Sequence, residues 1–170
     1  YLKEFLSDPR VVEVPKFIWW FVLNLIILNF RPKRSAHAYS TVWTEEGSPL
    51  MAITKAQAAE LEKRCKAAYG DDVVVDFAMR YGNPAISDVI DNMLSKGVRK
   101  LVVLPLYPQY SASTTGSTFD AIAKDFISRR WLPELRFVNH YHDRDSFITA
   151  LANKVKAHWD KYGKADKLIL

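Results

Sequence analysis

The stretch from residue 107 to residue 117 holds the densest group of side chains that could contact a ligand. It reads Tyr-Pro-Gln-Tyr-Ser-Ala-Ser-Thr-Thr-Gly-Ser, with two phenols, one amide and five hydroxyl residues. Aromatic faces can pack on a flat ligand, while hydroxyls and backbone amides can hydrogen-bond to its polar edge. From composition alone, a Ser/Thr-rich helix cap with two half-buried tyrosines fits equally well, and both interpretations stay open.

The histidines form a second group of candidates. His140 and His142 are two residues apart at the end of a predicted strand, so both could face one side and bind a metal, with Asp143 and Asp145 nearby. A His-x-His pair alone is a weak signal, and a solvent-exposed loop is the favoured interpretation. The remaining histidines, at positions 37 and 158, lie on predicted helices, where surface or capping roles are commoner than catalysis.

Strands and helices alternate from residue 54 onward, and they must position these groups. Strands are predicted at residues 73–78, 101–104, 135–138 and from 168 onward. Helices are predicted from a Thr54–Gln57 capping box to Gly70, from Asn83-Pro84 to Gly97, from Ser117 or Thr118, and from Asp145 or Ser146 to Gly163. Repeated β-α-β units of this kind predict an α/β fold with a doubly wound, four-stranded parallel sheet, Rossmann- or flavodoxin-like.

The carboxyl ends of such a sheet are where ligands bind. This rule selects three loops, at residues 80–84, 107–117 and 139–145. Residues 1–53 do not follow the β-α-β alternation and are predicted to form a helical segment in front of the parallel α/β domain of residues 54–170.

Composition places the chain among globular proteins and excludes several classes. Of its 170 residues, 49% are hydrophobic and 25% charged, and the net charge is +5. The single cysteine, Cys65, excludes an internal disulfide and favours a reducing compartment. The one tight basic cluster, residues 31–34, lacks a wider basic stripe, so a nucleic-acid partner is not expected. The apolar run 17–28 is shorter than the roughly 20 residues of a membrane span and predicts a buried or interfacial helix.

Four sequence blocks together are similar to a known family. Phe5-Leu6-Ser7-Asp8, Tyr39 with Gly47-Ser48-Pro49-Leu50, the block 79–84 (Met-Arg-Tyr-Gly-Asn-Pro) and the loop 107–117 occur in the order found in ferrochelatases. The loop, preceded by an apolar strand, closely resembles the signature loop of that family. The resemblance covers nearly the whole chain.

The resemblance implies a fold and an activity. Ferrochelatases have two similar four-stranded parallel domains with a porphyrin between them, so this chain would be one domain of a two-domain, chelatase-like enzyme, cut at both ends. The activity implied is insertion of ferrous iron into protoporphyrin IX to give protoheme, the last step of heme biosynthesis. The sequence does not separate protoporphyrin from coproporphyrin as substrate, although the matching signature loop favours protoporphyrin.

The resemblance also assigns site residues. Arg31 would meet the porphyrin propionates, a pairing that suits a guanidinium group. The other substrate-binding residues implied are Tyr39, Ser48, Arg80, Tyr81, Tyr107, Tyr110, Ser111 and Thr115, and the lip of the porphyrin entrance would include Val11, Val12 and Pro15. A solvated Arg31 and a paired structural Arg80 remain alternatives. No catalytic residue is assigned within the chain, because the family's catalytic histidine would follow the strand at 168–170 and its partner glutamate would lie in the second domain.

Cofactors and location follow from the same resemblance. Some ferrochelatases hold an iron-sulfur cluster through a cysteine in the signature loop, where this chain has Ala112, so no cluster and no resident metal are expected. Ferrous iron enters as a substrate. The expected location is cytoplasmic, with peripheral contact to the inner membrane face through the helix that carries Trp19, Trp20 and Phe21.

Three rival functions remain open at this point. One is a tetrapyrrole-binding module without catalysis, and another is a surface domain that docks on membranes through residues 14–34. The third is a flavodoxin-like phosphate binder, which the single glycine of the loop disfavours, because phosphate cradles usually contain several.

Overall fold

Seven helices and two strands lie within residues 1–168, the part of the chain that the computed structural model describes. The helices are α1 (Leu2–Leu6), α2 (Lys16–Phe21), α3 (Leu28–Ser40), α4 (Pro49–Tyr69), α5 (Ile86–Ser95), α6 (Ser117–Ile127) and α7 (Asp145–Tyr162). The strands are β1 (Lys100–Val103) and β2 (Glu134–Phe137). Two π-helical turns, Val22–Ile27 and Ala112–Gly116, precede α3 and α6.

The sheet is parallel, as predicted for an α/β chain. β1 pairs with β2 from Lys100 opposite Glu134 to Val103 opposite Phe137, and α6 lies between them in the chain. The Val138 amide continues the ladder by donating to the Val103 carbonyl over 2.9 Å. Because both strands run the same way, their carboxyl ends lie side by side, and the segments that follow them meet there.

The predicted four-stranded sheet is not confirmed, because the described residues form one sheet of two paired strands. The run 73–78 makes no ladder with β1, although its β-branched residues favour a strand. Strand propensity measures how well a residue packs in a sheet, and it does not show whether a partner strand is present to pair with. The last predicted strand is without regular structure at Leu168, and its residues 169 and 170 lie outside the described part.

Two predicted helix starts are also wrong. α4 begins at Pro49 after Ser48 as N-cap, so the proposed capping box at Thr54 lies inside the helix, and Thr54 is buried. A proline in the first turn is a strong signal for the start of a helix. Backbone N–H groups in that turn have no intrahelical partner, so the N–H that proline lacks is not missed. α4 therefore runs across the predicted domain boundary between residues 53 and 54. The division into two domains stays a prediction. α5 begins after Ala85 and not after Asn83, because the Pro84 carbonyl accepts the Met79 amide.

The first 40 residues are largely helical, and the π-helical turn joins α2 to α3. Two asparagine side chains bond to the backbone one turn back: Asn24 donates to the Trp20 carbonyl over 2.8 Å and Asn29 to the Leu25 carbonyl over 2.7 Å. The Trp19 indole donates to the Leu6 carbonyl over 2.6 Å and so ties α2 to α1. None of the described helices combines the length and the apolar character needed to cross a membrane.

A small apolar core holds α5 and α6 against the sheet. Ile90 of α5, Leu101 of β1 and Ile122 of α6 are all buried. Arg129 fastens the two helices to each other, with 2.6 Å contacts to Asp125 of α6 and Asp91 of α5. The core and this ion pair fix α6, whose first turn carries the end of the loop 107–117.

Candidate functional site

A buried carboxylate, Asp8, organises the segment between α1 and α2. It is 5% exposed and accepts hydrogen bonds from Arg80 Nη2 at 2.6 Å, from the Tyr81 hydroxyl at 2.7 Å and from the Ser117 hydroxyl. Its other oxygen accepts the Arg10 backbone amide over 2.8 Å. The N-terminal segment, the loop after residues 73–78 and the start of α6 therefore meet at one side chain.

The hydrogen bonds keep Asp8 ionised despite its burial. Burial by itself raises the pKa of a carboxyl group, because it penalises the charged form. Here the hydrogen bonds from Ser117, Tyr81 and the Arg10 amide, together with the Arg80 charge, outweigh burial and hold the pKa of Asp8 below its usual value. Burial raises the pKa of the Tyr81 phenol, so that it stays protonated and donates to Asp8.

Arg10 makes a second link between the N-terminal segment and α6. Its guanidinium binds the Asp120 carboxylate in bidentate fashion, with Nε–Oδ2 and Nη2–Oδ1 distances of 2.5 and 2.9 Å. These bonds hold the pKa of Asp120 below its usual range. Gly116 has no side chain to obstruct this contact: a Cβ there would lie 3.1 Å from Arg10 Nη1 and 3.3 Å from the Tyr110 hydroxyl oxygen. A Cβ at this position would therefore require the Arg10 and Tyr110 side chains to move by a few tenths of an ångström.

A cavity of about 300 Å³ opens at the carboxyl ends of the two strands. It is lined by Arg10, Tyr110, Thr115, Gly116, Phe119, Phe137 and Asn139. Phe119 and Phe137 meet edge to face with ring centroids 5.4 Å apart and give the cavity an apolar wall. Tyr110 and Thr115, both predicted substrate contacts, thus border one space, at the position where parallel sheets bind ligands.

Thr115 is the most distinctive residue of this cavity. It is 1% exposed, and its hydroxyl oxygen has no hydrogen-bond partner among the described residues. A buried hydroxyl without a partner costs free energy, so such groups are rare unless a ligand or a water molecule satisfies them. Thr115 is therefore suited to hydrogen-bond a polar atom that enters the cavity.

Three other predicted site residues gather around Tyr1. The Tyr1 ring meets Tyr39 and Tyr81 edge to face, with centroid distances of 6.2 and 6.3 Å. Burial first, and then the neighbouring Tyr39, Tyr107 and Tyr81 phenols, raise the pKa of Tyr1 to about 12. The arrangement is a set of neutral aromatic faces, which can pack against an apolar ring but cannot neutralise a charged group.

A second cavity, of about 450 Å³, lies between α1 and α2. Its lining combines two predicted lip residues, Val12 and Pro15, with apolar neighbours that include Leu6, Trp19, Trp20 and Leu23. Pro9 and Val12 border this cavity while Arg10 borders the first, so a short stretch of chain separates the two. Val11, the third predicted lip residue, is half-buried in the same stretch.

The remaining predicted contacts lie apart from both cavities. Arg31 is exposed on α3 and makes no ion pair within residues 1–168. Ser48 is half-buried as the N-cap of α4, without a side-chain capping bond. Ser111 is exposed, and its hydroxyl lies 3.1 Å from that of Ser113. Their roles toward a substrate stay predictions.

Sequence reasoning did not identify Asp8, Arg10, Asp120 or Ser117 as site residues. Asp8 stands in the first of the four blocks, which was the available signal, but nothing in its neighbourhood along the chain predicts its partners. Arg80 does pair with a carboxylate, the alternative considered from the sequence, and its guanidinium also lies 4.4 Å from the Tyr81 ring centroid.

Comparison with known proteins gives one consistent family. A family model described as Ferrochelatase matches residues 1–170. The ferrochelatase of Idiomarina loihiensis is 66% identical over 99% of this chain and 46% of its own length, and that of Pseudoalteromonas atlantica is 62% identical over 99% and 47%. Ferrochelatase 2 of Shewanella oneidensis is 54% identical over 100% and 52%. The chain spans about half the length of the curated relatives it matches.

Proposed function

Because this chain belongs to the ferrochelatase family, we propose that the protein inserts ferrous iron into protoporphyrin IX and releases protoheme, the last step of heme biosynthesis. The observation that carries the proposal is the cavity at the carboxyl ends of β1 and β2, which is lined by Tyr110 and by Thr115, whose buried hydroxyl has no partner among the described residues. An aromatic face and a free hydroxyl suit the flat ring and the polar edge of a porphyrin.

The chemistry requires the loss of two protons for each metal ion that enters. The free porphyrin carries hydrogens on two pyrrole nitrogens, and ferrous iron replaces both, so that the product is a neutral ring complex and two protons leave. A planar ring holds its nitrogen lone pairs in the ring plane, where an incoming ion meets the pyrrole hydrogens. A site that binds a bent ring better than a flat one lowers the barrier, because bending turns the lone pairs outward.

This chain would supply one wall and the lip of the porphyrin cleft. Val11, Val12 and Pro15 would border the apolar entrance, and Tyr39, Tyr81, Tyr107 and Tyr110 would offer ring faces to the macrocycle. Arg31 would pair with a propionate, a role supported by its exposed position without an ion pair in the described residues. Arg80 would act through Asp8 and Tyr81, which it holds in place. We assign no base for the pyrrole protons within residues 1–170.

The complete domain would carry the four-stranded, doubly wound parallel sheet of its family. No iron-sulfur cluster would be held by this chain, since Ala112 and the single Cys65 leave it without a cysteine set.

Peripheral membrane contact, with the protein on the cytoplasmic side of the inner membrane, is part of the proposal. Phe17 and Trp20 of α2 are 76% and 57% exposed, and Leu25 and Ile26 of the following π-helical turn are also exposed. Lys16 precedes this apolar surface, and Arg31, Lys33 and Arg34 follow it. Apolar side chains flanked by cations suit the interface of an anionic lipid surface.

Porphyrin binding tests the assignment of residues. The full-length protein is titrated with protoporphyrin IX while tryptophan quenching and porphyrin absorbance are followed. We expect saturable binding that Tyr110→Ala and Arg31→Ala each weaken about tenfold, or by about 1.4 kcal/mol. Tyr69→Ala and Arg130→Ala are the matched controls, since both residues are exposed and lie outside the predicted site. Equal porphyrin affinity in all four variants would show that Tyr110 and Arg31 do not contact the porphyrin.

A further inference from the structure

Three potential metal ligands lie together on the segment that follows β2. One ligand atom from each of His140, His142 and Asp143 lies within 4.8 Å of the other two. The imidazole rings are 5.4 Å apart by their centroids, and His140 Nδ1 lies 3.7 Å from an Asp143 carboxylate oxygen. All three residues are exposed, so an ion can reach them from solvent.

The backbone of this segment is fixed by a neighbouring loop. The Tyr141 and His142 amides both donate to the Pro108 carbonyl, over 2.9 and 3.1 Å. The Tyr141 ring packs edge to face on Phe147 of α7 at 5.5 Å, and its burial raises the pKa of its phenol. Tyr141 is thus held against α7 while the histidines on either side of it remain in solvent. The backbone that carries the two histidines is therefore fixed before an ion arrives, which reduces the entropy lost on binding.

We propose that His140, His142 and Asp143 bind one divalent first-row transition-metal ion, with Zn²⁺ as the reference ion. Two imidazoles and one carboxylate form a ligand set that suits Zn²⁺, Fe²⁺, Co²⁺ or Ni²⁺ better than Mg²⁺ or Ca²⁺, which prefer oxygen ligands. Ligand atoms of a tetrahedral zinc ion are about 3.3 Å apart, given a bond length of about 2.0 Å. Side-chain rotation at exposed positions closes the remaining distance, and water completes the coordination.

The site is separate from the two cavities. Asn139 lines the cavity that contains Tyr110, whereas His140, His142 and Asp143 line neither cavity. A resident or transient ion would bind at this surface whether or not the protein metallates porphyrin.

Calorimetric titration with Zn²⁺ tests the proposal in the full-length protein. We expect His140→Ala/His142→Ala to lose one equivalent of bound Zn²⁺ relative to the unmodified protein. Asp143→Asn, a smaller change, keeps the site but weakens it by at least about tenfold, the scale on which even supporting residues affect metal affinity. The matched control is His37→Ala/His158→Ala, which removes the same number of imidazoles elsewhere and should retain full stoichiometry.

A second measurement does not depend on the variants folding. Crystals of the unmodified protein soaked in Zn²⁺ should show anomalous scattering between the three side chains. Unchanged stoichiometry and affinity in the His140→Ala/His142→Ala protein, or anomalous density only at other positions, would overturn the proposal.

Discussion

The carboxylate of Asp8 lies 2.6 Å from Nη2 of Arg80, 72 residues further along the chain. Asp8 is 3% exposed in its side chain and Arg80 is 23% exposed. The same carboxylate oxygen accepts the hydroxyls of Tyr81 and Ser117, and the other oxygen accepts the nearby Arg10 amide, so both oxygens have partners. The position of the loop 107–117 relative to the N-terminal segment depends on this contact.

Removing the carboxylate should destabilise the protein strongly. Asp8→Ala leaves the Arg80 charge and two hydroxyls without their acceptor, which in buried pairs costs about 3 kcal/mol. The free energy of unfolding of the full-length protein, from urea titration, measures the loss. Asp72→Ala is the control, because Asp72 is exposed and should change stability by less than about 0.5 kcal/mol. Equal stability of the two variants would show that the hydrogen bonds of the Asp8 carboxylate contribute little to folding.

The same carboxylate should make stability fall in acid. The pKa of Asp8 is lower in the folded protein than in the unfolded chain, so the unfolded chain takes up the proton more readily. The contribution of Asp8 to the free energy of unfolding is therefore fully present above the ordinary aspartate pKa of about 4. It is lost as the pH falls through the pKa that Asp8 has in the folded protein. Asp120 and Glu134 have lowered pKa values too, and both contribute in the same direction.

Comparing unfolding between pH 7 and pH 2 in the unmodified protein and in Asp8→Asn isolates the Asp8 contribution. The unmodified protein should be more stable at pH 7, and the difference should shrink toward low pH. Two curves that stay parallel over the whole range would contradict the account.

Thr115 and Ser117 give a matched pair of buried hydroxyls with opposite expectations. Thr115→Val removes a hydroxyl without a partner among the described residues, so the free energy of unfolding should stay the same or rise by up to about 1 kcal/mol. Ser117→Ala removes a hydroxyl bonded to Asp8 and should cost about 1–2 kcal/mol. Protoporphyrin affinity should nevertheless fall in Thr115→Val. A variant with reduced stability and unchanged affinity would show that Thr115 has a structural partner and no role in binding.

The exposed apolar surface of α2 should bind lipid. Phe17→Ser/Trp20→Ser is expected to reduce co-sedimentation with anionic phospholipid vesicles at least about tenfold, because each large side chain contributes about 1.5–3 kcal/mol when it leaves water. Trp131→Ser serves as control, since Trp131 is comparably exposed, at 51%, but follows α6. If the control lost as much binding as the double variant, vesicle contact would not be specific to α2.

Local features of the fold were predictable from the sequence, and long-range contacts were not. The pattern around Asp145 and Gly163 predicted the ends of α7, although its N-cap is Arg144 and makes no side-chain capping bond. The glycine signal was confirmed, because Gly163 is the C-cap with a positive φ. The strands at 101–104 and 135–138 were each placed within one residue of their observed positions, since apolar runs between turn signals mark strands. The bonds from Asp8 to Ser117 and from Arg10 to Asp120 span 109 and 110 residues, and no local pattern encodes such contacts.

In the candidate site, too, residues close together in sequence were predictable, and residues from distant segments were not. Tyr110 and Thr115 were identified because they share one short loop, and the structure places both on one cavity. Arg10, which completes that cavity, was not predicted, although it lies between the block 5–8 and the predicted lip residues Val11 and Val12. For the region 73–78, residue types alone gave the wrong result, since pairing depends on neighbours that propensity does not describe.

Metal insertion tests the central claim most directly. The full-length protein is incubated without oxygen with ferrous iron and protoporphyrin IX, and in parallel with coproporphyrin, while the loss of free-porphyrin fluorescence and the appearance of the heme spectrum are followed. The account predicts catalytic turnover of protoporphyrin that exceeds both turnover of coproporphyrin and the rate without protein. Saturable porphyrin binding with no insertion of iron into either substrate would contradict it and would favour a tetrapyrrole-binding module without catalysis.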